Sequence, residues 1–389
     1  MDLESQMNNI LIISPFFFPE PISTGKYNTL VAKELSQGTG CIDVLCAHPI
    51  YPKWKIEPTS KQLVGVNAIR GGKYLKFPKN VLLRRAVLEL WFCIFVFFRL
   101  LFSKKKYTHI VPIFPPSLFM ILVPFFTKKA KITGIVHDLQ GIYAKRNSGF
   151  LKKIIFSFIK TIEKKAFRNC DQLIFLSEDM MRVASSEYDL DPTKNSVNYP
   201  FVTIDEFSDV GKLNHIIPDN QVSIVYSGAL GEKQAPNELA EFMESVVQAN
   251  SNVKAYIFSQ GPEFELLKNN YTNINFHPLV DEEDLSELLV RSTVQILPQA
   301  QGTSDGSLPS KLPNLLASGC KIFCITDPGS ELVRILNSYS NAAVEHEWDN
   351  VKLSEGCLKL LSSDVKSEVD NELLSKFRIQ TLVDKILTR

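Results

Sequence analysis

At 389 residues with 45% hydrophobic side chains, the chain is long enough to bury substantial cores, and its length favours two domains over one. The formal net charge of +1 conceals a split, because residues 1–200 carry 28 Lys/Arg against 15 Asp/Glu, an excess of +13, and the remainder carries an excess of −12. A basic half suits an anionic lipid or nucleic-acid neighbour, whereas seven cysteines with no CxxC spacing and no His-rich companion point to neither a disulfide framework nor a zinc site.

The N-terminus carries Asp2 and Glu4 where a signal peptide has a basic region, and its apolar run Ile10 to Ile13 is short, so a cytosolic protein is expected. NILIIS reads as a buried parallel strand, with a helix from about Lys26. Between them, PFFFPEPISTGKY places Gly25 ahead of the helix, which is either a phosphate-tolerant junction or a plain connection. CIDVLCA and VNAIRG read as the next strands. In the loop AHPIYPKWK, His48, Tyr51 and Trp54 line a pocket or simply pack.

Val81 to Phe102 is the most apolar segment, but its uninterrupted core, Leu90 to Phe98, is nine residues, against about 20 for a spanning helix. Arg84, Arg85 and Arg99 flank that core and Lys104, Lys105 and Lys106 follow it, as in a helix lying in an anionic membrane interface; a helix buried against a sheet is the rival. Phe95 and Phe98 are the residues expected to face lipid. Pro116 to Phe126 reads as a second apolar helix, with Lys128, Lys129 and Lys131 extending the basic surface.

KITGIVHD is a strand with His137 and Asp138 at its carboxyl end, the edge that faces the ligand crevice in a doubly wound α/β lobe. Adjacent strand residues point to opposite faces, so the two need not touch. A basic helix (149–168), the strand QLIFLS, a helix from Glu178 and NSVNYP complete the first lobe. The expected division is a first lobe over 1–205, a linker over 206–220, a second lobe over 221–370 and a C-terminal helix over 371–389. The second lobe alternates strand and helix from VSIVYSG to KIFCIT, which implies another parallel sheet.

Two stretches of this lobe suit an anion. Gly228 to Lys233, GALGEK, is a glycine loop after a strand, but it is neither GxGxxG nor a P-loop. The second runs from Gln299 to Thr326: a small-residue loop, Gly302 to Ser307, then Lys311 and an apolar helix that stops at Gly319. Gly and Ser let backbone approach a ligand, and Lys311 adds a charge at the helix start; an ordinary capped helix accounts for the same residues.

Together and in this order, ILIISPFFFPEPISTGKY, AHPIYPKW, VHD, YSGALGEKQ and LPSKLPNLLASG resemble the family 4 glycosyltransferases of bacterial polysaccharide synthesis, of the colanic-acid and O-antigen type, over nearly the whole chain. The resemblance implies the GT-B architecture: two Rossmann-like, doubly wound α/β lobes with an interdomain cleft, the acceptor on the first and a UDP- or GDP-linked sugar on the second. It implies a hexosyl-type transfer that retains anomeric configuration and uses neither metal nor cofactor; no Asp-x-Asp motif lies in either expected cleft. The expected acceptor is a lipid-linked saccharide, reached by peripheral contact with the inner face of the cytoplasmic membrane, and no nucleic acid is involved.

Position by position, the resemblance makes His137 the histidine facing the donor sugar, Lys233 the diphosphate-holding base, and Gly25 the glycine of the first loop. Gly228, Gly306, Ser307 and Lys311 frame the phosphates. The chain departs from the family where Ala229 replaces an arginine, and where the two glutamates fall near Asp305 and Gly306 and on Asn314, which can reach a ribose hydroxyl only as a neutral group. Those departures keep two other readings in play, a GT-B-shaped sugar-nucleotide epimerase and a catalytically silent membrane-docking subunit.

Overall fold

A computed structural model describes residues 9–39, 42–51, 53–127, 129–140, 150–304, 308–363 and 370–388. The chain divides into two compact units, one of residues up to Tyr199 together with Ile379–Arg389 and the other Pro200–Arg378.

In the first unit β1 (Ile10–Ile13), β2 (Ile42–Ala47), β3 (Val66–Gly71), β4 (His109–Phe114), β5 (Lys131–Val136), β6 (Gln172–Phe175) and β7 (Asn195–Val197) form one sheet. The order is β3-β2-β1-β4-β5-β6-β7 and every pairing is parallel. β1, β2 and β4 are buried at every position, as a sheet covered on both faces requires. The chain winds outward from β1 to β3, then returns to lay β4 on the other side of β1, so the strand order reverses between them.

β4 is absent from the sequence reading. Pro112 sits within it and pairs in register with Ile13, although a proline inside a run normally argues against a central strand. The expected single helix Pro116 to Phe126 is instead a 3-10 turn, Leu118–Ile121, followed by a short helix, Val123–Phe126.

The helix Val81–Leu101 is capped by Asn80, whose side chain accepts from the Leu82 and Leu83 amides. It has two apolar faces. Leu88, Phe92, Val96 and Leu100, one every fourth residue, are buried, the last three in the core with Phe114, Phe119 and Met120 and Leu88 with Ala47 and Ile50. Leu83, Leu90, Ile94, Phe98 and Leu101 are exposed, Phe98 to 50%. Phe95 belongs with the core: it stacks on Trp91 at 5.6 Å and its ring fills the space over Gly71, so the expectation that it faces lipid is corrected.

The second unit has β8 (Ser223–Ser227), β9 (Lys254–Phe258), β10 (Ile274–His277), β11 (Val294–Pro298), β12 (Lys321–Ile325) and β13 (Ala342–Glu345), all parallel, in the order β10-β9-β8-β11-β12-β13. Here the order reverses between β8 and β11. β13 and the helix Asn350–Leu361 extend the unit beyond the last strand read from the sequence.

The boundaries differ from those expected. Much of the segment taken as linker packs into the second unit: Leu213 and Ile217 are buried with Val225, Tyr256 and Phe258, and Arg291 binds Asp209 at 2.7 Å and Asp219 at 3.0 Å. At the C-terminus the single expected helix is two. Asn371–Ser375 stays with the second unit, where Phe377 accepts from the Val202 amide, and Ile379–Leu387 belongs to the first, where the Lys385 ammonium donates to the Val197 carbonyl.

The two faces of Val81–Leu101 separate in stability. Phe92→Ala is expected to cost roughly 3–5 kcal/mol and Phe98→Ala under about 1 kcal/mol in urea unfolding. Equal losses would mean that the Phe98 face is covered by protein.

Candidate functional site

In the second unit the crevice at the reversal of strand order is built by the segments that leave β8 and β11. β8 is followed by Gly228, whose φ of +149° favours glycine and whose amide donates to the Phe258 carbonyl at 3.0 Å. The loop then tightens: the Gln234 side chain accepts from the Gly231 amide, and the Gln234 amide donates back to the Gly231 carbonyl. The turn Glu232–Gln234 carries Lys233, whose carbonyl accepts from the Ala300 amide at 2.9 Å, so the loops after β8 and β11 are tied together.

The second of these loops is held by Asp327, just past β12. Its carboxylate takes the Gly302 amide at 2.8 Å and the Ser304 hydroxyl at 2.7 Å. Burial pushes the Asp327 carboxyl up, but these hydrogen bonds outweigh it and hold the group below the ordinary range. Asp305, Gly306 and Ser307, three of the expected phosphate-site residues, lie outside the described residues, as does Lys128.

Lys311 precedes the helix Leu312–Ser318 and points back beneath the glycine loop. Its Nζ is 4.0 Å from the centre of the Tyr226 ring and 3.3 Å from the Ser227 carbonyl, and a Cβ added to Gly228 would stand 3.8 Å from it. Tyr226 is fixed in turn, donating its hydroxyl to the Ala229 carbonyl at 2.6 Å. Burial pushes the Lys311 ammonium down to about 7. Lys311 and the exposed Lys233 open onto one cavity of about 250 Å³ with Gly228, Gln299, Thr303 and Ser310. Among the described residues lining it there is no carboxylate.

Asn314 does something other than expected. It is buried, its Oδ1 accepts from the Thr203 amide at 2.8 Å and its Nδ2 donates to the Thr203 hydroxyl at 2.9 Å. It therefore fastens the start of the unit to the helix Leu312–Ser318 rather than standing ready for a ribose.

In the first unit His137 follows β5 directly, and its amide donates to the Phe114 carbonyl at 2.9 Å. The residue is partly buried, but its Nε2 is sealed from water and has no partner among the described residues. Its ring meets Tyr27 edge to face at 4.6 Å. Burial pushes the imidazole down to about 4, so it is neutral at physiological pH. Asp138 turns instead to the Leu139 amide at 3.0 Å.

Gly25 lies inside the first turn of the helix Ser23–Thr39, not ahead of it. A Cβ there would stand 2.9 Å from Glu20, whose carboxylate receives the Ile50 and Tyr51 amides at 2.8 and 2.6 Å. The glycine thus makes room for a structural carboxylate.

Other groups escaped the sequence reading. Glu89, on Val81–Leu101, accepts from the Ser117 and Leu118 amides just beyond β4, and burial pushes its carboxyl up to about 7. With β4 unrecognised, nothing in the sequence placed Glu89 near a strand end. An Asp-x-Asp sequence does occur, Asp189-Leu190-Asp191. Asp189 pairs with Arg168 at 2.6 Å, and Asp191 caps the turn Pro192–Lys194.

No family model matches the chain. It is 24% identical over 386 residues to a protein of Escherichia coli strain K12 named as a colanic acid biosynthesis glycosyl transferase, WcaI, covering 88% of this chain and 89% of that one. Among solved structures it is similar to WaaG, a glycosyltransferase involved in lipopolysaccharide biosynthesis (TM-score 0.70, 12% identity, 98% of this chain and 100% of that). It is also similar to an Escherichia coli trehalose-6-phosphate protein bound with UDP-2-fluoro glucose (TM-score 0.67, 10% identity, 97% and 96%). The fold is GT-B, as the resemblance implied.

Because the buried His137 titrates below its ordinary value of 6.5, the unfolded chain takes up its proton first as pH falls, and stability drops between pH 6.5 and 4. His137→Gln should remove roughly 2–3 kcal/mol of the stability difference between pH 7 and 4.5, read from urea unfolding at both pH values. An unchanged difference would show that the imidazole protonates freely in the folded protein.

Proposed function

We propose that this chain, a GT-B protein of the family 4 glycosyltransferase type, moves a sugar from a UDP- or GDP-linked donor to a lipid-linked saccharide of a bacterial surface polysaccharide, with retention and without metal. The observation that carries the reading is the second unit's cavity, placed where strand order reverses, with two lysines and no carboxylate among its described lining residues. Nucleotides bind at such reversals in doubly wound sheets. About 250 Å³ is small for a whole donor but suits its diphosphate.

Chemistry follows from where charge develops. As the bond from sugar to phosphate breaks, negative charge accumulates on the diphosphate, and Lys233 and Lys311 present positive potential at that place before the reaction begins. In a retaining transfer of this type the departing phosphate oxygen takes the acceptor proton. His137, neutral and packed on Tyr27, is suited to shaping a sugar site rather than to carrying a proton.

The acceptor side of the reading rests on Val81–Leu101. Beyond its exposed face, Phe102 stacks on Phe98 and is 76% exposed, and Phe125, 71% exposed, lines one cavity with Lys106 and Lys129, which are exposed as well. Apolar side chains rimmed by ammonium groups suit the interface of an anionic bilayer. Lys105 contributes less, being paired with Asp43 at 2.8 Å. Among the described residues no helix is long and apolar enough to cross a membrane. An epimerase would have no use for this face.

Incubated with radiolabelled nucleotide-sugars and bacterial lipid extract in EDTA, the protein should place label in lipid, and Lys233→Ala should lower catalytic efficiency by about 2–4 kcal/mol. Isomerised donor would favour the epimerase, and no turnover the silent subunit.

In vesicle flotation the wild type should bind anionic lipid, with a salt-sensitive part worth roughly 1 kcal/mol per basic residue and a salt-resistant remainder. Replacing Leu90, Ile94 and Phe98 with Ser should remove that remainder and leave a cooperative melt. Retained salt-resistant binding would contradict the membrane reading.

A further inference from the structure

The lysine beneath the glycine loop stands in an unusual place. Lys311 Nζ has three protons to offer when charged, yet its hydrogen bond among the described residues is a single 3.3 Å contact to the Ser227 carbonyl. Its other neighbour is the face of Tyr226 at 4.0 Å. Lys311 is partly buried, and an ammonium drawn out of water normally has a carboxylate partner, because its desolvation is otherwise uncompensated.

Among the described residues, the groups around it supply none. From β8 comes the Tyr226 phenol and from β12 the Cys324 thiol, both pushed upward by burial and therefore protonated at neutral pH. Lys233 lines the same cavity from the loop after β8, and on the helix that Lys311 precedes Asn314 is held by Thr203. The described residues provide no anion at the point where the cavity would receive one.

We propose that Lys311 is neutral in the ligand-free protein and takes up one proton from solvent when a nucleoside diphosphate enters the cavity, so that donor binding generates its own counter-charge. This rests on the donor-site reading above and adds a linked proton to it. The balance is simple: a buffer acid gives its proton to the Nζ lone pair, and no other bond changes. Burial, which pushes the free amine down to about 7, supports the geometry, and the diphosphate's charge raises it again in the complex. The linkage has a functional consequence. An amine that is neutral until the diphosphate arrives gives weak attraction to other anions at alkaline pH, and release of the spent nucleotide returns the proton.

The sign follows from linkage. Above the free value and below the bound one, binding consumes a proton, so Kd should rise by up to about 10-fold per pH unit. The test is calorimetric titration of the whole protein with UDP and with GDP between pH 7.5 and 9, in two buffers of different ionisation enthalpy. In that range the nucleotide's terminal phosphate, which ionises near about 6, is already fully charged.

Close to one proton taken up per nucleotide at pH 8 is expected. Lys311→Arg, whose guanidinium stays charged, should bind with no uptake and a flat pH profile, while Lys311→Met should lose both affinity and uptake. Lys233→Ala should bind more weakly yet keep the uptake.

Should Lys311→Arg fail to give a cooperative melt, NMR of the ligand-free protein labelled at lysine Cε decides. A signal titrating near pH 7 and absent from Lys311→Met upholds the proposal, and no lysine titrating below pH 9 overturns it. Nucleotide binding without proton uptake would overturn this inference and leave the donor site standing. Binding of neither nucleotide at any pH would remove the donor site and the inference together.

Discussion

A parallel sheet whose strand order reverses must leave an uncovered gap at the carboxyl ends of two neighbouring strands, because the crossovers on either side run away from each other. In the second unit the gap lies between β8 and β11, and the chain closes it with two loops tied by the Ala300 amide on the Lys233 carbonyl. Gln234 holds the loop that carries Lys233, and Asp327 holds Gly302 and Ser304 of the other, while Lys311 is set by its own contacts with Tyr226 and the Ser227 carbonyl. Rigid placement is what electrostatic stabilisation requires, since charges that must reorganise during a reaction lose most of their value.

Much of this was legible in the residues. Runs such as ILII and IDVLCA, buried at every position, state a two-sided parallel sheet, and a glycine after SIVYS states a turn that only a small residue makes. Other features were hidden for physical reasons. Pro112 disguised β4, although a proline forgoes one donor and need not end the strand when its neighbours pair on both sides. Asn314 carries the same groups whether it serves a ribose or Thr203, and only the fold says which is near. The role of Tyr226 as the surface beneath Lys311 depends on a meeting of side chains 85 positions apart in sequence, which no local pattern records.

The apolar residues of Val81–Leu101 divide between two faces, one buried in the unit as the buried-helix reading expected and one exposed, on which the proposed membrane contact rests. A helix with an apolar stripe every fourth residue satisfies the sheet beneath it, and further apolar residues at Leu90, Ile94 and Phe98 leave half or more of their surface exposed. The charges also divide in this way. Arg84 lies over Trp54 at 4.2 Å, Arg99 over Phe95 at 5.4 Å and Lys105 against Asp43, so part of the basic excess supports the fold and the remainder is left for a surface. Counting charges by sequence alone overstates what is available to lipid.

The central claim is that the cavity between β8 and β11 is where the donor's diphosphate sits. A crystal structure of the protein grown with UDP or GDP tests it most directly. The account predicts diphosphate oxygens within about 3 Å of the Lys233 and Lys311 ammonium groups, beneath the loop that begins at Gly228. A nucleotide bound with its diphosphate away from both lysines, or lodged at another place in the chain, would contradict it.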